Sequence, residues 1–392
     1  MRISLRKNSL IFLALLIVWL TIYAGDGQID IATLPYTIST SGSYVVVKDL
    51  SLSTQDTNGI TISVDNVTLD LNGHTLTGPG KAVGTTGSGI FISSTYINIS
   101  ISNGTIRDWR QDGINATNTH NSQFKNLRVH NNGGNGISTG IVCLVKENNC
   151  SLNGNHGIST NKACTIIENT CYNNTYFGIF ADGGSTINGN TCYLNGDDGI
   201  TSNINSTIIG NTCLENNSDG ISAGESSTLT ENTCCSNKAS GIYAYSGSTL
   251  SGNSCQSNTT QGIHAGISCT VSKNTCRLNG SDGIYAETGS FVSGNTCSAN
   301  TGDGIEVIAS CRVVDNSCNN NGYLSADGAG IHITSSRNSI EHNLVTNNDR
   351  GIDCNPATYN YIASNRARGN NTNYDIIAGN TQGSGDLANV SF

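Results

Sequence analysis

The sequence contains little of what several common fold classes require. Among 392 residues there are 3 prolines, 1 methionine, 12% charged residues and 6% aromatic residues. It lacks the surplus of Leu, Lys, Glu and Ala from which helices are built, which argues against a helical bundle or a doubly wound α/β fold. At 36% hydrophobic residues it also lacks the composition of a disordered chain. The net charge of −9 argues against a nucleic-acid partner.

Motifs of several enzyme classes are absent as well. The sequence contains no Gly-rich phosphate loop, no His-Glu-x-x-His helix and no paired Cys-x-x-Cys. Their absence counts against a standard enzyme.

The first 24 residues differ from the rest of the chain. A basic start with Arg2, Arg6 and Lys7 precedes a nearly continuous apolar run from Leu10 to Tyr23 and the small residue Ala24. This pattern predicts a secretory signal peptide over residues 1–24, with an uncleaved anchor as the alternative. No later stretch is long and apolar enough to span a bilayer. We therefore expect a secreted, periplasmic or cell-surface protein with no membrane span once the signal is removed.

The remaining sequence is repetitive, and this accounts for its 46 glycines and 15 cysteines. A Gly-Ile pair recurs every 21 residues from Gly136 to Gly304, and an Asn-x-Cys unit follows it in phase, for example at Asn169 and Cys171. Such a constant period indicates one structural unit stacked on copies of itself. Within a unit the apolar residues alternate, as in Ile242-Tyr243-Ala244, which is strand periodicity.

These features predict an all-β solenoid with three short strands per coil, joined by Asn and Gly corners that tolerate left-handed backbone. The Asn before each Cys should form a ladder of amide hydrogen bonds from coil to coil. We expect a right-handed connection and about 13–14 coils, counted roughly from the repeats. Residues 25–58 are assigned to an N-terminal start and cap, 59–369 to the repeats and 370–392 to a closing segment.

The motif N-x-C/V-x-x-N-x-x-x-G-I and the stretch from Ile60 to His74 resemble the single-stranded right-handed parallel β-helix of the pectate-lyase-like superfamily. The closest resemblance is to its short-repeat branch. That resemblance implies either a polysaccharide-modifying enzyme or a periplasmic copper-handling protein. However, the Asp-Pro-His, Gly-His-Gly and clustered Asp signatures of the superfamily's enzymes are not present.

Most cysteines fall in one column at 21-residue spacing, from Cys150 to Cys318. A ladder of thiolates for Cu(I) is one interpretation, and buried packing is the other. Because Ile106 and Val129 occupy the same column in earlier coils, packing is favoured. Within-coil disulfides such as Cys143–Cys150 remain open, and an odd number of cysteines leaves at least one without an intramolecular partner.

Chemistry is expected on the outward positions of the first strand of each coil. The third residues of the later units are rich in polar and aromatic side chains. Three of these are candidate acid–base residues: Glu306, His332 and Asp353. Glu306 and Asp353 are separated by two coils, or roughly 10 Å, which is near the outer limit for an inverting pair. The candidate carbohydrate-binding residues are Tyr243, Tyr245, His264, Tyr285 and Glu287, because aromatic rings stack on sugars.

Trp109 is the one tryptophan beyond the signal segment, and we expect it to be exposed as a further sugar platform. Aspartates at the corners form turns and are candidates for Ca²⁺ ligands, although no cofactor is required; they are Asp197, Asp198, Asp219, Asp282 and Asp303. The main expectation is binding to an extracellular polysaccharide or cell-surface glycan. A lyase, hydrolase or epimerase and a copper-handling protein are the alternatives.

Overall fold

The computed structural model describes residues 27–322 and 328–391. Short parallel strands wind into a solenoid in which each regular coil contributes three strands. The predicted signal segment lies outside the described residues. Within those residues, no helix is long and apolar enough to cross a membrane. The one helical turn recorded there is a 3-10 turn at Gly385–Leu387.

One strand of each coil joins a 16-stranded parallel sheet, named here the front sheet, which carries the candidate site. Its strands are Tyr36–Ile38, Ile60–Ile62, Ile90–Ile92, Ile114–His120, Ile137–Ile141, Ile158–Thr160, Ile179–Ala181, Ile200–Ser202, Ile221–Ala223, Ile242–Ala244, Ile263–Ala265, Ile284–Ala286, Ile305–Val307, Ala329–Ile333, Arg350–Cys354 and Thr372–Ile376.

The other two strands of each coil belong to a 31-stranded sheet, the back sheet, which bends around the rest of the core. Its first column comprises Ile29–Ile31, Gly42–Val46, Val67–Asp70, Ile99–Arg107, Gln123–His130, Leu144–Lys146, Thr165–Ile167, Thr186–Asn188, Thr207–Ile209, Thr228–Thr230, Thr249–Ser251, Thr270–Ser272, Phe291–Ser293, Arg312–Val314, Ser339–Glu341, Tyr361–Ala363 and Thr381–Gln382. Its second column comprises Leu50–Ser51, Thr75–Thr77, Asn149–Ser151, Thr170–Tyr172, Thr191–Tyr193, Thr212–Leu214, Thr233–Cys235, Ser254–Gln256, Thr275–Arg277, Thr296–Ser298, Ser317–Asn319, Leu344–Thr346, Arg366–Arg368 and Val390–Ser391. The two long strands Ile99–Arg107 and Gln123–His130 pass through both columns.

The solenoid is longer than the repeats alone predict. The 16 strands of the front sheet exceed the expected 13–14 coils. The segments assigned to the start and the closing region themselves contain coil strands, since Tyr36–Ile38 pairs with Ile60–Ile62 and Thr372–Ile376 pairs with Arg350–Cys354. A strand can pair here because its inward and outward side chains alternate and the edge of the neighbouring coil is free. A coil therefore forms in these segments without the Gly-Ile pair.

The predicted asparagine ladder is confirmed. Asn169, for example, accepts from the backbone N–H of Asn148 at 2.9 Å and donates through Nδ2 to Asn190 Oδ1 at 3.0 Å. A second ladder, five residues further along each coil, repeats the arrangement, as when Asn195 Nδ2 donates to Asn216 Oδ1 at 3.0 Å. Both ladders satisfy buried polar groups at the corners and hold successive coils in register.

The glycine of each Gly-Ile pair is required by space rather than by backbone torsion. A Cβ atom on Gly157 would lie 2.7 Å from the carbonyl oxygen of Gly178 and 2.8 Å from Nδ2 of Asn174. The corners themselves accept many residue types in left-handed conformation, including Leu152 with φ 57° and Glu168 with φ 57°. The stacking of the coils therefore imposes the corner geometry, and Asn and Gly only reduce its cost.

The cysteine column packs inside the solenoid, as favoured above. At one end of the column Cys150 is in register with Val129, and at the other end Cys318 is in register with Val345. The cysteine side chains between these ends are fully buried. All 15 cysteines lie in the described residues and are free, so the within-coil disulfides left open are not formed. Burial raises the pKa of the Cys171 thiol well above its ordinary value. The burial of this column and the valines at its two ends indicate core packing.

Candidate functional site

The front sheet carries an outward row of side chains that are in register from coil to coil. In the three-residue strands of this sheet the first and third residues point inward, as Ile263 and Ala265 do, and the middle residue, here His264, is partly exposed. Parallel pairing then aligns the residues at this position in the order Tyr243, His264, Tyr285, Glu306, His332 and Asp353. The strand periodicity read from the sequence therefore produces one continuous row.

The first part of the row is aromatic. The ring centroids of Tyr243 and His264 are 4.4 Å apart, and those of His264 and Tyr285 are 4.8 Å apart. Tyr245 packs edge-on against Tyr243 at 5.0 Å and is 49% exposed. Glu287 lies 3.4 Å from Nε2 of His264 through Oε1. The structure thus brings together all five front-sheet residues predicted to contact carbohydrate.

The phenol groups of this aromatic row remain protonated at neutral pH. Partial burial, together with the charges of Glu306 and Glu287, raises the pKa of Tyr285. Partial burial and neighbouring Tyr245 and Glu287 raise the pKa of Tyr243 in the same way. Both hydroxyls can therefore donate and accept hydrogen bonds, beside rings that offer apolar surface.

The row ends in a cluster of Asp303, Glu306 and His332. Nδ1 of His332 lies 2.9 Å from Oδ2 of Asp303, whose side chain is 9% exposed. Oδ1 of Asp303 accepts the backbone N–H of Ala329, so both carboxylate oxygens of this residue are engaged. One ligand atom from each of Asp303, Glu306 and His332 lies within 4.8 Å of the others. In geometric terms these are the residues that could hold a cation.

The electrostatics of the cluster favour bound protons. Burial and the charges of Asp282 and Asp303 raise the pKa of Glu306 to about 7. Burial alone would lower the pKa of His332, but its hydrogen bond to Asp303, with the charges of Asp303, Asp353 and Glu306, raises it to about 9. At neutral pH the imidazole is charged and Glu306 is near its titration midpoint, so the pair can exchange a proton with a bound ligand.

Asp353 occupies the next place in the row, but its carboxylate is not available. Its side chain is 3% exposed, and Oδ2 receives a hydrogen bond from Nη1 of Arg350 at 2.7 Å. Oδ1 accepts the backbone N–H of Asn355 at 3.0 Å. Of the three predicted acid–base residues, the structure places Glu306 and His332 side by side, and it buries Asp353 against Arg350.

The expectation for Trp109 is wrong. Its side chain is fully buried, and its indole N–H points to the carbonyl oxygen of Leu76 at 3.4 Å. Gly59, Gly78 and Gly89 leave room for the ring, because a Cβ at any of them would lie within 3.0 Å of it. A large aromatic residue in a corner fills the core when the neighbouring coils lack side chains there. Trp109 therefore stabilises the N-terminal coils and cannot stack on a sugar.

Asp303 is the member of this cluster that the sequence did not single out for acid–base chemistry. It stands in an Asp-Gly-Ile corner, which indicates a turn first. At this corner the aspartates bridge neighbouring coils: Asp198 Oδ1 accepts the N–H of Asp219 at 2.9 Å, and Asp282 Oδ1 accepts that of Asp303 at 2.9 Å. The only sign of the Asp303–His332 contact in the sequence is that His332 occupies the outward position one coil after Asp303. Calcium binding at these corners remains a prediction.

Comparison with protein families now identifies the fold. Residues 138–253 and 223–367 match the family described as "Right handed beta helix region". The chain belongs to the right-handed β-helix family. The handedness expected from the sequence agrees with that description. None of the curated protein sequences compared with this β-helix matches it significantly.

The solved structures that are similar to this β-helix include enzymes that act on polysaccharides. The A-module of Azotobacter vinelandii mannuronan C-5 epimerase AlgE4 shares 14% identity, with 80% of this chain and 90% of that chain covered and a TM-score of 0.43. A double mutant of the periplasmic alginate epimerase AlgG shares 13% identity, with 87% and 79% covered and a TM-score of 0.46. The Agl-KA catalytic domain shares 13% identity, with 91% and 62% covered and a TM-score of 0.38. At these identities the likeness does not extend to activity.

Proposed function

We propose that this β-helix is an exported protein that binds a neutral extracellular polysaccharide along the front sheet. The observation that carries the proposal is the in-register row Tyr243, His264 and Tyr285, which leads directly to Glu306. Ring faces contribute apolar contact to pyranose rings, and the neighbouring hydroxyl, imidazole and carboxylate groups bind sugar hydroxyls. A solenoid face of this kind offers an extended site to an extended chain.

The charge of the site selects for a neutral chain. Asp282, Asp303 and Asp353 lie around the end of the row, and burial together with repulsion by the charges of Asp282 and Asp303 raises the pKa of Glu306. A polyuronate would bring a further carboxylate with every sugar and would meet the same repulsion. We therefore expect neutral glucans, mannans or xylans to bind and alginate or polygalacturonate to be rejected.

Native gels that contain a soluble polysaccharide test this function. The wild-type chain should be retarded by at least one neutral polysaccharide, and the double variant Tyr243→Ala/Tyr285→Ala should migrate freely. Tyr172→Ala is a matched control, because Tyr172 is also partly exposed but belongs to the back sheet. If no neutral polysaccharide retards the wild type, or if the control loses retention equally, the proposal is overturned.

A second candidate function is hydrolysis of the bound glycan, and the raised pKa of Glu306 favours it. A carboxylic acid with a pKa of about 7 can protonate the leaving glycosidic oxygen as its bond to the anomeric carbon breaks, as general acids of glycoside hydrolases do. Water forms the new bond to that carbon and releases its proton to solvent. His332, held by Asp303, would supply a positive charge beside it. Release of reducing ends by the wild type, but not by Glu306→Gln, would support hydrolysis. Binding without release by either protein would leave binding as the function.

A further inference from the structure

A second group of aromatic side chains lies on the front sheet, nearer the N-terminus than the row described above. The rings of His156 and Phe177 stack at 4.9 Å with 3° between their planes, and Phe180 lies 5.8 Å from His156 at 22°. Tyr176 approaches His156 edge-on at 6.1 Å and is 51% exposed. The set His156, Phe177 and Phe180 is named here the distal platform. Its three partly exposed rings are nearly parallel, which distinguishes it from the tilted rings of the Tyr243 row.

The distal platform faces the same side as the Tyr243 row. Phe180 is the outward middle residue of Ile179–Ala181, and His156 and Phe177 occupy the positions just before the Gly-Ile pairs that begin two neighbouring strands. Pairing continues in register from Phe180 through Thr201 and Ser222 to Tyr243. At about 4.8 Å per strand, three strand steps separate Phe180 from Tyr243 by about 14 Å.

His156 gives the distal platform a polar group of defined character. The backbone N–H of Phe177 donates to Nδ1 of His156 at 3.3 Å, so in the neutral ring the proton is on Nε2. Burial lowers the pKa of His156, which favours this neutral form. The platform therefore combines parallel apolar rings with one N–H donor, a combination suited to a sugar ring and its hydroxyl groups.

On the two front-sheet strands between the aromatic regions, the outward middle residues are small. Thr201 donates through Oγ1 to Asp198 Oδ2 at 2.9 Å, and Ser222 follows on the next strand. Burial raises the pKa of Asp198, and burial together with Asp198 raises that of Asp219 to about 6. This intervening surface is thus low and hydroxyl-lined, and it is acidic like the Glu306 cluster.

We propose that the distal platform is a second subsite for the polysaccharide bound by the Tyr243 row, so that one chain occupies both. This inference rests on the proposed function. A linked pyranose unit advances an extended chain by roughly one strand spacing, about 4.8 Å. The five strand steps from Phe180 to Tyr285 therefore accommodate about five or six sugars. The carboxyl groups of Asp198 and Asp219 on this path, and of Glu306 at its end, make a neutral chain the occupant.

Chain-length dependence of binding provides the test. The neutral polysaccharide that retards the wild type best is cut into oligosaccharides of about three and about eight sugars, and calorimetry measures both affinities. Phe177→Ala/Phe180→Ala should weaken binding of the longer oligosaccharide by about tenfold or more and leave the shorter one unchanged. Phe180→Leu, which keeps apolar volume but removes the ring, should weaken the longer one in the same direction.

The controls separate this inference from the function on which it rests. Tyr172→Ala/Tyr193→Ala removes a comparable parallel pair, with centroids 5.0 Å apart, from the back sheet and should change neither affinity. Tyr243→Ala/Tyr285→Ala should weaken both oligosaccharides. If the wild type binds but the Phe variants bind the longer oligosaccharide normally, or lose both lengths equally, the second subsite is refuted. A wild type that binds no neutral glycan refutes the proposed function itself.

Discussion

The interior of this β-helix and the outward face of its front sheet follow opposite rules. Inside, successive coils repeat the same residue, as in the buried Asn ladders and the Cys column. Outside, neighbouring positions differ from strand to strand, from Phe180 to Thr201 and from Ser222 to Tyr243. Uniform side chains keep identical coils in register, whereas varied side chains form a site at one place on the stack. Stability therefore depends on the interior, and binding depends on the face.

The largest effect is expected from breaking an interior ladder. Asn253→Leu removes the acceptor of the Asn232 backbone N–H, one of the two acceptors of Asn232 Nδ2, and the side-chain donor to the Leu229 carbonyl and to Asn274 Oδ1. Asn274 Oδ1 keeps only the backbone N–H of residue 253. We expect a loss of about 3–5 kcal/mol, measured as a lower urea midpoint by circular dichroism. Gln256→Leu, exposed on the same coil, is the control and should change the midpoint little. Equal losses in the two variants would contradict the comparison.

The next effect concerns the pH dependence of stability through Glu306. Its folded-state pKa of about 7 exceeds the ordinary 4.5, so its contribution to stability is full below pH 4.5 and is lost as the pH rises through about 7. The unfolding midpoint should therefore fall over this window, and Glu306→Gln should reduce the fall. Part of it should persist, because Asp219, with a pKa of about 6, acts in the same direction.

Glu231→Gln serves as the exposed control for this pH series and should keep the wild-type slope. His332 adds a later window: its stabilising contribution is full below pH 6.5 and is lost as the pH rises through about 9. If the stability of Glu306→Gln falls between pH 4.5 and 7 as steeply as that of the wild type, Glu306 is not held in its protonated form.

A smaller effect is expected in the cysteine column. Cys255→Val should change the free energy of unfolding by less than about 1.5 kcal/mol, because Val129 and Val345 already occupy this column. In the native wild type, a thiol reagent should modify Cys235 rapidly, as it is the one cysteine that is not buried. Rapid modification of several thiols before unfolding would contradict the packed column.

The smallest effects on stability are expected from replacing two serines of one coil, one outward and one buried. Ser222 faces outward, and Ser222→Ala should alter stability by no more than about 0.5 kcal/mol. Ser227 is buried, and its Oγ accepts the N–H of Ser206 at 3.2 Å, so Ser227→Ala should cost about 1–2 kcal/mol. Denaturation of the two variants in parallel measures the difference, and a reversed order would break the contrast between interior and face.

Repetition is what makes the fold of this chain predictable. A 21-residue period with alternating apolar residues has few structural solutions, so the solenoid, the first Asn ladder and the aromatic row Tyr243 to Tyr285 could be read from spacing alone. The extra end coils could not, because they lack the Gly-Ile pair. The reason for the repeated glycines could not be predicted from the sequence either. The next coil lies so close that a Cβ atom on Gly157 would be 2.7 Å from it.

By itself, the sequence determined the order of the residues in the front-sheet row and, except for Asp353, that they face outward, because strand alternation and a constant period decide both. Only the tertiary structure decided which of them act together. Asp303 reaches His332 from the corner of the preceding coil, Asp353 turns to Arg350, and Trp109 fills space left by three glycines. Each outcome depends on contacts between coils that are 20 or more residues apart in the chain or on a local charge pair. Spacing along the sequence does not encode such contacts.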